Sequence, residues 1–139
     1  MDENIIPKKI SSRQREITEQ FLDELEKHLN DVLAGRETEM FEIRDFAERL
    51  HIHPRHLTNT VKLTTGKSPC DFFEEKILNA AKQMLEASEA TISQIAFDLT
   101  YDPSNFTKFF KRFTGITPKQ YRESFRLEKY SKKTEGLTK

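Results

Sequence analysis

Two sets of polar side chains share one spacing. Arg55, His56, Thr58 and Asn59 form the first, and Ser104, Asn105, Thr107 and Lys108 the second, 49 residues further along. Arginine can grip a guanine edge with a two-pronged fork, asparagine can do the same to adenine, and serine, threonine and lysine are adaptable donors. Cations suited to phosphate stand close by in sequence: Lys62, Lys67, Lys111, Arg112, Lys119 and Arg122. That set of donors is the chemistry of a nucleic-acid surface, with some groups for base edges and others for the backbone.

Those residues ride on a repeat. The stretch 47–72 aligns with 96–121 without a gap, with 8 identities in 26 positions. The identities are Ala47 with Ala96, Leu50 with Leu99, Pro54 with Pro103, Thr58 with Thr107, Lys62 with Lys111, Thr65 with Thr114, Gly66 with Gly115 and Pro69 with Pro118. In the first copy Ile43, Phe46, Ala47 and Leu50 make one apolar helix face. Pro54 then opens a second helix, where its missing N–H costs nothing, and Gly66 stops it. Leu57, Val61 and Thr64 line the inner side of that helix. In the second copy Ser93 is expected to cap a helix buried through Ile95, Ala96 and Leu99. Asp102 caps the next at Pro103, Phe106, Phe109, Phe110 and Phe113 pack it, and Gly115 ends it. Short helix, turn and second helix is the helix-turn-helix pattern, here present twice in register.

The remaining elements must hold these units. Phe73, Ile77, Ala80, Ala81, Met84 and Leu85 recur at helical spacing, which predicts a connecting helix. Its ~18 residues would span ~27 Å, comparable to the ~34 Å turn of B-DNA. Ahead of the first unit, Ile17, Phe21, Leu22, Leu25, Leu29, Val32 and Leu33 form the stripe of an amphipathic helix closed by Gly35. Ser11 and Gln14 match a capping box at its start. The stripe is expected to pack on the first unit. The alternative is a dimer or partner contact through Ile17, Phe21, Leu25 and Leu29. The fold expected is all-α: two tandem helix-turn-helix subdomains joined by a long connecting helix and preceded by an extra N-terminal helix. The boundaries read as a disordered tail at 1–10, the N-terminal helix at 11–36, and the first helix-turn-helix at 40–69. The connecting helix follows at 70–88, the second helix-turn-helix with a C-terminal helix at 92–130, and a basic tail at 131–139.

Composition narrows the function classes. The 139 residues hold 23 basic and 23 acidic side chains, 11 Phe and only 4 Gly, which suits a helical protein with a small aromatic core. The charge is unevenly spread: residues 1–50 carry 8 basic and 13 acidic groups, whereas 101–139 carry 10 and 4. That places a basic binding face on an otherwise acidic chain. No apolar run exceeds three residues, so neither a signal peptide nor a membrane span is expected. The single cysteine, Cys70, cannot form an internal disulfide and fits a reducing cytosol. His51, His53 and His56 are close in sequence, but no second group of Cys or His completes a metal site. No nucleophile motif collects a Ser, His and Asp. No catalytic residue, metal or cofactor is therefore expected, and the chain is not read as an enzyme.

The segment 95–122, IAFDLTYDPSNFTKFFKRFTGITPKQYR, resembles the signature of the AraC/XylS family of bacterial transcription regulators. Residues 43–72 are similar to the family's first helix-turn-helix and 70–87 to its connecting helix. The resemblance implies a seven-helical DNA-binding domain that spans two successive major grooves as one polypeptide and regulates transcription. It places base readers at Arg55, Thr58, Asn59, Ser104, Asn105 and Lys108. The partner implied is double-stranded DNA, bound by a monomer in the cytoplasm at the nucleoid, without a membrane or cofactor. With about four to six phosphates neutralised, log K should fall against log salt with a slope near −4 to −5. The acidic face of the N-terminal helix would be offered to RNA polymerase or another protein. A protein-interaction module or anti-regulator acting through that helix is the competing reading. The family usually has Gly where Thr100 stands, a costly exchange if φ is positive there. Nothing in the sequence is large enough for the ligand-sensing domain many members carry, so the chain looks like the minimal, effector-free members.

Overall fold

A computed structural model describes residues 10–137. Among these there are seven helices and no strand: α1 (Ser12–Leu33), α2 (Ile43–Arg49), α3 (Pro54–Thr65), α4 (Pro69–Ala87), α5 (Ile92–Asp98), α6 (Pro103–Thr114) and α7 (Pro118–Leu137). The bounds of α2 and α3 recur in α5 and α6 at the 49-residue offset of the sequence repeat, and α4 and α7 both begin at the repeated proline. The chain divides into two compact units, residues 1–76 and 77–139. Helix α4 runs from one into the other, with 69–76 in unit 1 and 77–87 in unit 2.

In unit 1, α1 packs on α2 and α3. Its start is the expected capping box: the Gln14 N–H donates to Ser11 Oγ at 3.1 Å, and the Ser11 N–H to Gln14 Oε1 at 2.9 Å. Ile17, Phe21 and Leu25 join Phe46, Ala47, Leu57 and Val61 in a core whose members are at most 1% exposed. Burying side chains of this size contributes about 1.5–3 kcal/mol each. This placement overturns the partner-interface alternative for Ile17, Phe21, Leu25 and Leu29, since all four are spent inside the unit. Thr18 and Thr64 share a 2.6 Å hydrogen bond that fixes α1 against α3.

In unit 2, Ala81, Leu85, Ile95, Ala96, Leu99, Phe106, Phe109 and Phe110 are all buried. Phe113 departs from expectation: it is 45% exposed, with the Arg112 guanidinium 4.8 Å from its ring centre. The cap of α5 is Thr91 rather than Ser93. Its Oγ1 accepts the Gln94 N–H at 3.0 Å, the three-residue reach that an N-cap hydroxyl needs.

The expected tail at 1–10 lies outside the described residues save for Ile10, which adjoins the cap of α1. The basic tail expected at 131–139 is corrected, because α7 continues helical to Leu137. No apolar stripe marks this extension. It is carried by good helix formers, Arg126, Leu127, Glu128 and Lys129, and by Glu128 and Lys132 facing each other at 4.0 Å one turn apart. No described helix is long and apolar enough to cross a membrane.

Candidate nucleic-acid interface

Each helix-turn-helix turn is built the same way. In the first, the His51 N–H donates to Glu48 O at 3.1 Å and the Ile52 N–H to Ala47 O at 3.0 Å. In the second, the Thr100 N–H donates to Phe97 O at 2.9 Å and the Tyr101 N–H to Ala96 O at 2.8 Å. This is a Schellman closure, which needs a left-handed residue at its first position. That residue is His51 (φ 59°) in one copy and Thr100 (φ 66°) in the other, neither a glycine.

The second helices start from different caps. Asp102 Oδ2 accepts the N–H of Ser104 at 3.1 Å and of Asn105 at 3.4 Å, and also the Ser104 hydroxyl at 3.1 Å. In α3 the cap is an imidazole: His53 Nδ1 accepts the Arg55 N–H at 3.0 Å. His53 thus has a capping role the sequence did not signal. The C-terminal ends match again. Thr65 Oγ1 donates to Val61 O at 2.7 Å, and Thr114 Oγ1 to Phe110 O at 2.8 Å, each just before a left-handed glycine. Capping boxes then restart the chain, Ser68 with Asp71 and Thr117 with Gln120.

With Leu57 and Val61 buried, α3 turns Arg55, His56, Asn59 and Lys62 to solvent and leaves Thr58 half-buried. With Phe106, Phe109 and Phe110 buried, α6 does the same with Ser104, Asn105, Lys108 and Lys111, and Thr107 is half-buried. The base-edge candidates of each copy therefore fall on one outer face of one helix. Each face offers amide, hydroxyl and cationic donors close to a helix start.

The phosphate candidates separate. Lys62, Lys111 and Lys119 are exposed. Lys67 holds both oxygens of Glu75 at 3.3 Å and lies 5.2 Å from the Phe72 ring centre. Arg122 is corrected to a structural role. Its guanidinium donates to three backbone carbonyls, Leu85 at 3.0 Å, Ala90 at 2.7 Å and Ser88 at 3.2 Å, tying α7 to the end of α4 and the loop before α5. Beside it the Tyr121 hydroxyl donates to Glu86, and burial together with that carboxylate raises the phenol to about 12.

Sequence reasoning also passed over His28, which is buried under Phe41. Its ring stacks on Phe41 at 3.8 Å, its Nε2 accepts the Phe41 N–H at 3.0 Å, and burial lowers its pKa from the ordinary 6.5. Glu37, Asp31 and Asp45 oppose that lowering and Arg49 adds to it. Among the described residues no group of three or more His, Cys, Asp or Glu could hold a metal.

A family model described as a helix-turn-helix domain matches residues 46–124. YobQ of Bacillus subtilis strain 168, an uncharacterised HTH-type transcriptional regulator, is 31% identical over 111 residues, covering 77% of this chain and 46% of that protein. The chain spans less than half the length of the curated relatives it matches. The fold is shared with the C-terminal domain of AraT, a response regulator from Geobacillus stearothermophilus. The TM-score is 0.66 at 24% identity, covering 84% of this chain and 88% of that one. It is shared too with the DNA-binding domain of AdpA, a global transcriptional factor solved with a target DNA. There the TM-score is 0.61 at 23% identity, covering 73% and 95%.

Proposed function

The chain belongs to the AraC/XylS family of DNA-binding transcription regulators, whose fold is not that of an enzyme, and from that premise we propose that it reads two adjacent major grooves with α3 and α6. The observation that carries this reading is the exact recurrence of α2–α3 in α5–α6, each second helix presenting a polar, donor-rich outer face. Arg55, His56, Thr58 and Asn59 would address one block of bases, and Ser104, Asn105, Thr107 and Lys108 the other. Lys62, Lys67, Lys111, Arg112 and Lys119 would hold phosphates, and Arg122 leaves that set.

No cofactor is needed, and the chain acts as a monomer on an asymmetric site at the nucleoid. The outer face of α1 keeps exposed Glu16, Glu19, Asp23 and Glu26 away from the core and open to a protein such as RNA polymerase. The test is selection of bound sites from a random DNA library at near-physiological salt. A non-palindromic motif with two blocks about one helical turn apart is expected. A palindrome would replace the monomer with a dimer, and no enrichment by a folded protein would overturn the DNA-reading role.

A further inference from the structure

One frame used twice carries unequal charge. The shared helix bounds fix which side chains correspond. Lys62 and Lys111 occupy the same position, and both are exposed. Elsewhere unit 2 has a cation where unit 1 has none: Lys108 against Asn59, Arg112 against Leu63, and Lys119 against Cys70. Unit 1 answers with Arg44 against Ser93, Arg49 against Asp98, Arg55 against Ser104, Lys67 against Ile116 and Lys76 against Phe125, but Arg44 is paired with Glu42, Arg49 with Glu24 and Lys76 with Glu26. Lys67 is likewise held by Glu75, whose counterpart in unit 2 is the neutral Ser124. Over whole units the contrast persists. Unit 1 has 12 basic and 16 acidic side chains, whereas unit 2 has 11 and 7.

Resting on the DNA-reading role proposed above, we infer that unit 2 is the electrostatic anchor and unit 1 the discriminating reader. Counterion release scales with the number of cations placed on phosphates and ignores base identity. Lysine ammonium groups are point charges suited to that task. Unit 2 supplies three of them on or beside its outer face, Lys108, Lys111 and Lys119, all exposed. Unit 1 supplies one unpaired lysine, Lys62, with the planar groups of Arg55 and Asn59, whose paired hydrogen bonds demand one base geometry. Unit 2 keeps Asn105 as its planar amide, so the division is one of emphasis in readout and of sign in net charge. A duplex is drawn to the positive unit and repelled by the negative one until short-range base contacts form. Association therefore begins at unit 2 and is completed at unit 1.

The test is fluorescence anisotropy and stopped-flow on the full chain, with selected and random duplexes over a range of KCl. Two double variants of exposed lysines are compared, Lys111→Ala with Lys119→Ala, and Lys62→Ala with Lys67→Ala. Circular dichroism shows that each remains folded. The unit 2 variant should lessen the salt slope by about two and weaken random DNA by more than about tenfold, chiefly through a slower on-rate. The unit 1 variant should lessen the slope by about one or less. Equal losses, or a larger loss from unit 1, overturn the anchor assignment while leaving DNA reading intact. Absence of salt-dependent binding by the unaltered chain overturns DNA reading itself.

Discussion

Residues 43–72 and 92–121 share helix bounds, turn closures and glycine stops, yet they fill their cores by different means. In unit 2 the second helix brings its own bulk: Phe106, Phe109 and Phe110 all face inward. In unit 1 the same positions of α3 hold Leu57, Thr60 and Val61, and the missing volume comes from α1 through Ile17, Phe21 and Leu25. The hydroxyl of Thr64 meets Thr18 of α1 where unit 2 has the exposed Phe113. Backbone punctuation therefore sets the frame, and apolar volume can reach it from any neighbouring helix. One consequence is chemical. The buried polar side chains found among the described residues, Thr18, His28 and Thr60, all belong to unit 1.

The largest effect should come from removing the ring on which unit 1 turns. Phe46 is 1% exposed and makes edge contacts with Phe21, His28, Phe41 and Phe73 at 5.5–5.8 Å between ring centres. Phe46→Ala should cost about 3–5 kcal/mol in urea unfolding, with amide exchange accelerating more in α1–α3 than in α5–α6. Uniform acceleration across both units would show that the two cores fail together and would dissolve the comparison.

Next is Arg122→Ala. Three charge-assisted bonds to carbonyls are lost, at about 2–3 kcal/mol, because the carbonyls of Leu85, Ser88 and Ala90 lose the guanidinium that gathers them. The salt slope of DNA binding should not change. A slope reduced by about one, without loss of stability, would restore the phosphate role.

These two residues mark where the sequence was legible and where it was not. Punctuation is local and was readable. Pro54 and Pro103, Gly66 and Gly115, and Ser11 with Gln14 sit within a few residues of what they control, so the helices and their outward faces followed. The partners of Arg122 lie 32–37 residues away and are backbone atoms, which no side-chain pattern announces. His28 was opaque for a like reason, since the donor to its ring is the Phe41 amide across a loop. The extension of α7 has no apolar stripe in its sequence, so hydrophobic periodicity gives no signal there. The exposed polar faces of α3 and α6 follow by subtraction, once Leu57, Val61, Phe106 and Phe110 are assigned inward.

His28 makes the two cores differ in pH response. Its folded pKa is lowered from 6.5, chiefly by burial, so the unfolded chain binds the proton more readily. Its contribution is full above about pH 6.5 and is lost as pH falls through the lowered folded value. The slope from this one site is at most about 1.4 kcal/mol per pH unit. Urea unfolding monitored at α1–α3 should weaken over that window, and His28→Gln, which keeps an acceptor for the Phe41 amide, should remove this contribution. A stability unchanged between pH 7 and 5 in the unaltered chain would contradict the buried neutral imidazole.

The smallest effect tests the feature the two turns share. His51 and Thr100 both take the left-handed conformation that closes a Schellman turn, at φ 59° and 66°. A side chain there costs roughly 1–2 kcal/mol relative to glycine in backbone sterics, and part of any gain on substitution is returned as glycine's greater freedom in the unfolded chain. The two positions are not equivalent, because histidine visits this region more readily than a β-branched residue does. Thr100→Gly should therefore stabilise unit 2 by about 1 kcal/mol, and His51→Gly should stabilise unit 1 by less. The turn bonds to Phe97 and Ala96 are made by backbone N–H groups and survive the exchange. DNA affinity should thus stay level while stability rises. If stability rises and affinity falls, the strained threonine serves the docking angle of α6 and not only the turn. If His51→Gly gains as much as Thr100→Gly, the difference between the halves lies in their cores and charges alone, and the turns are interchangeable parts.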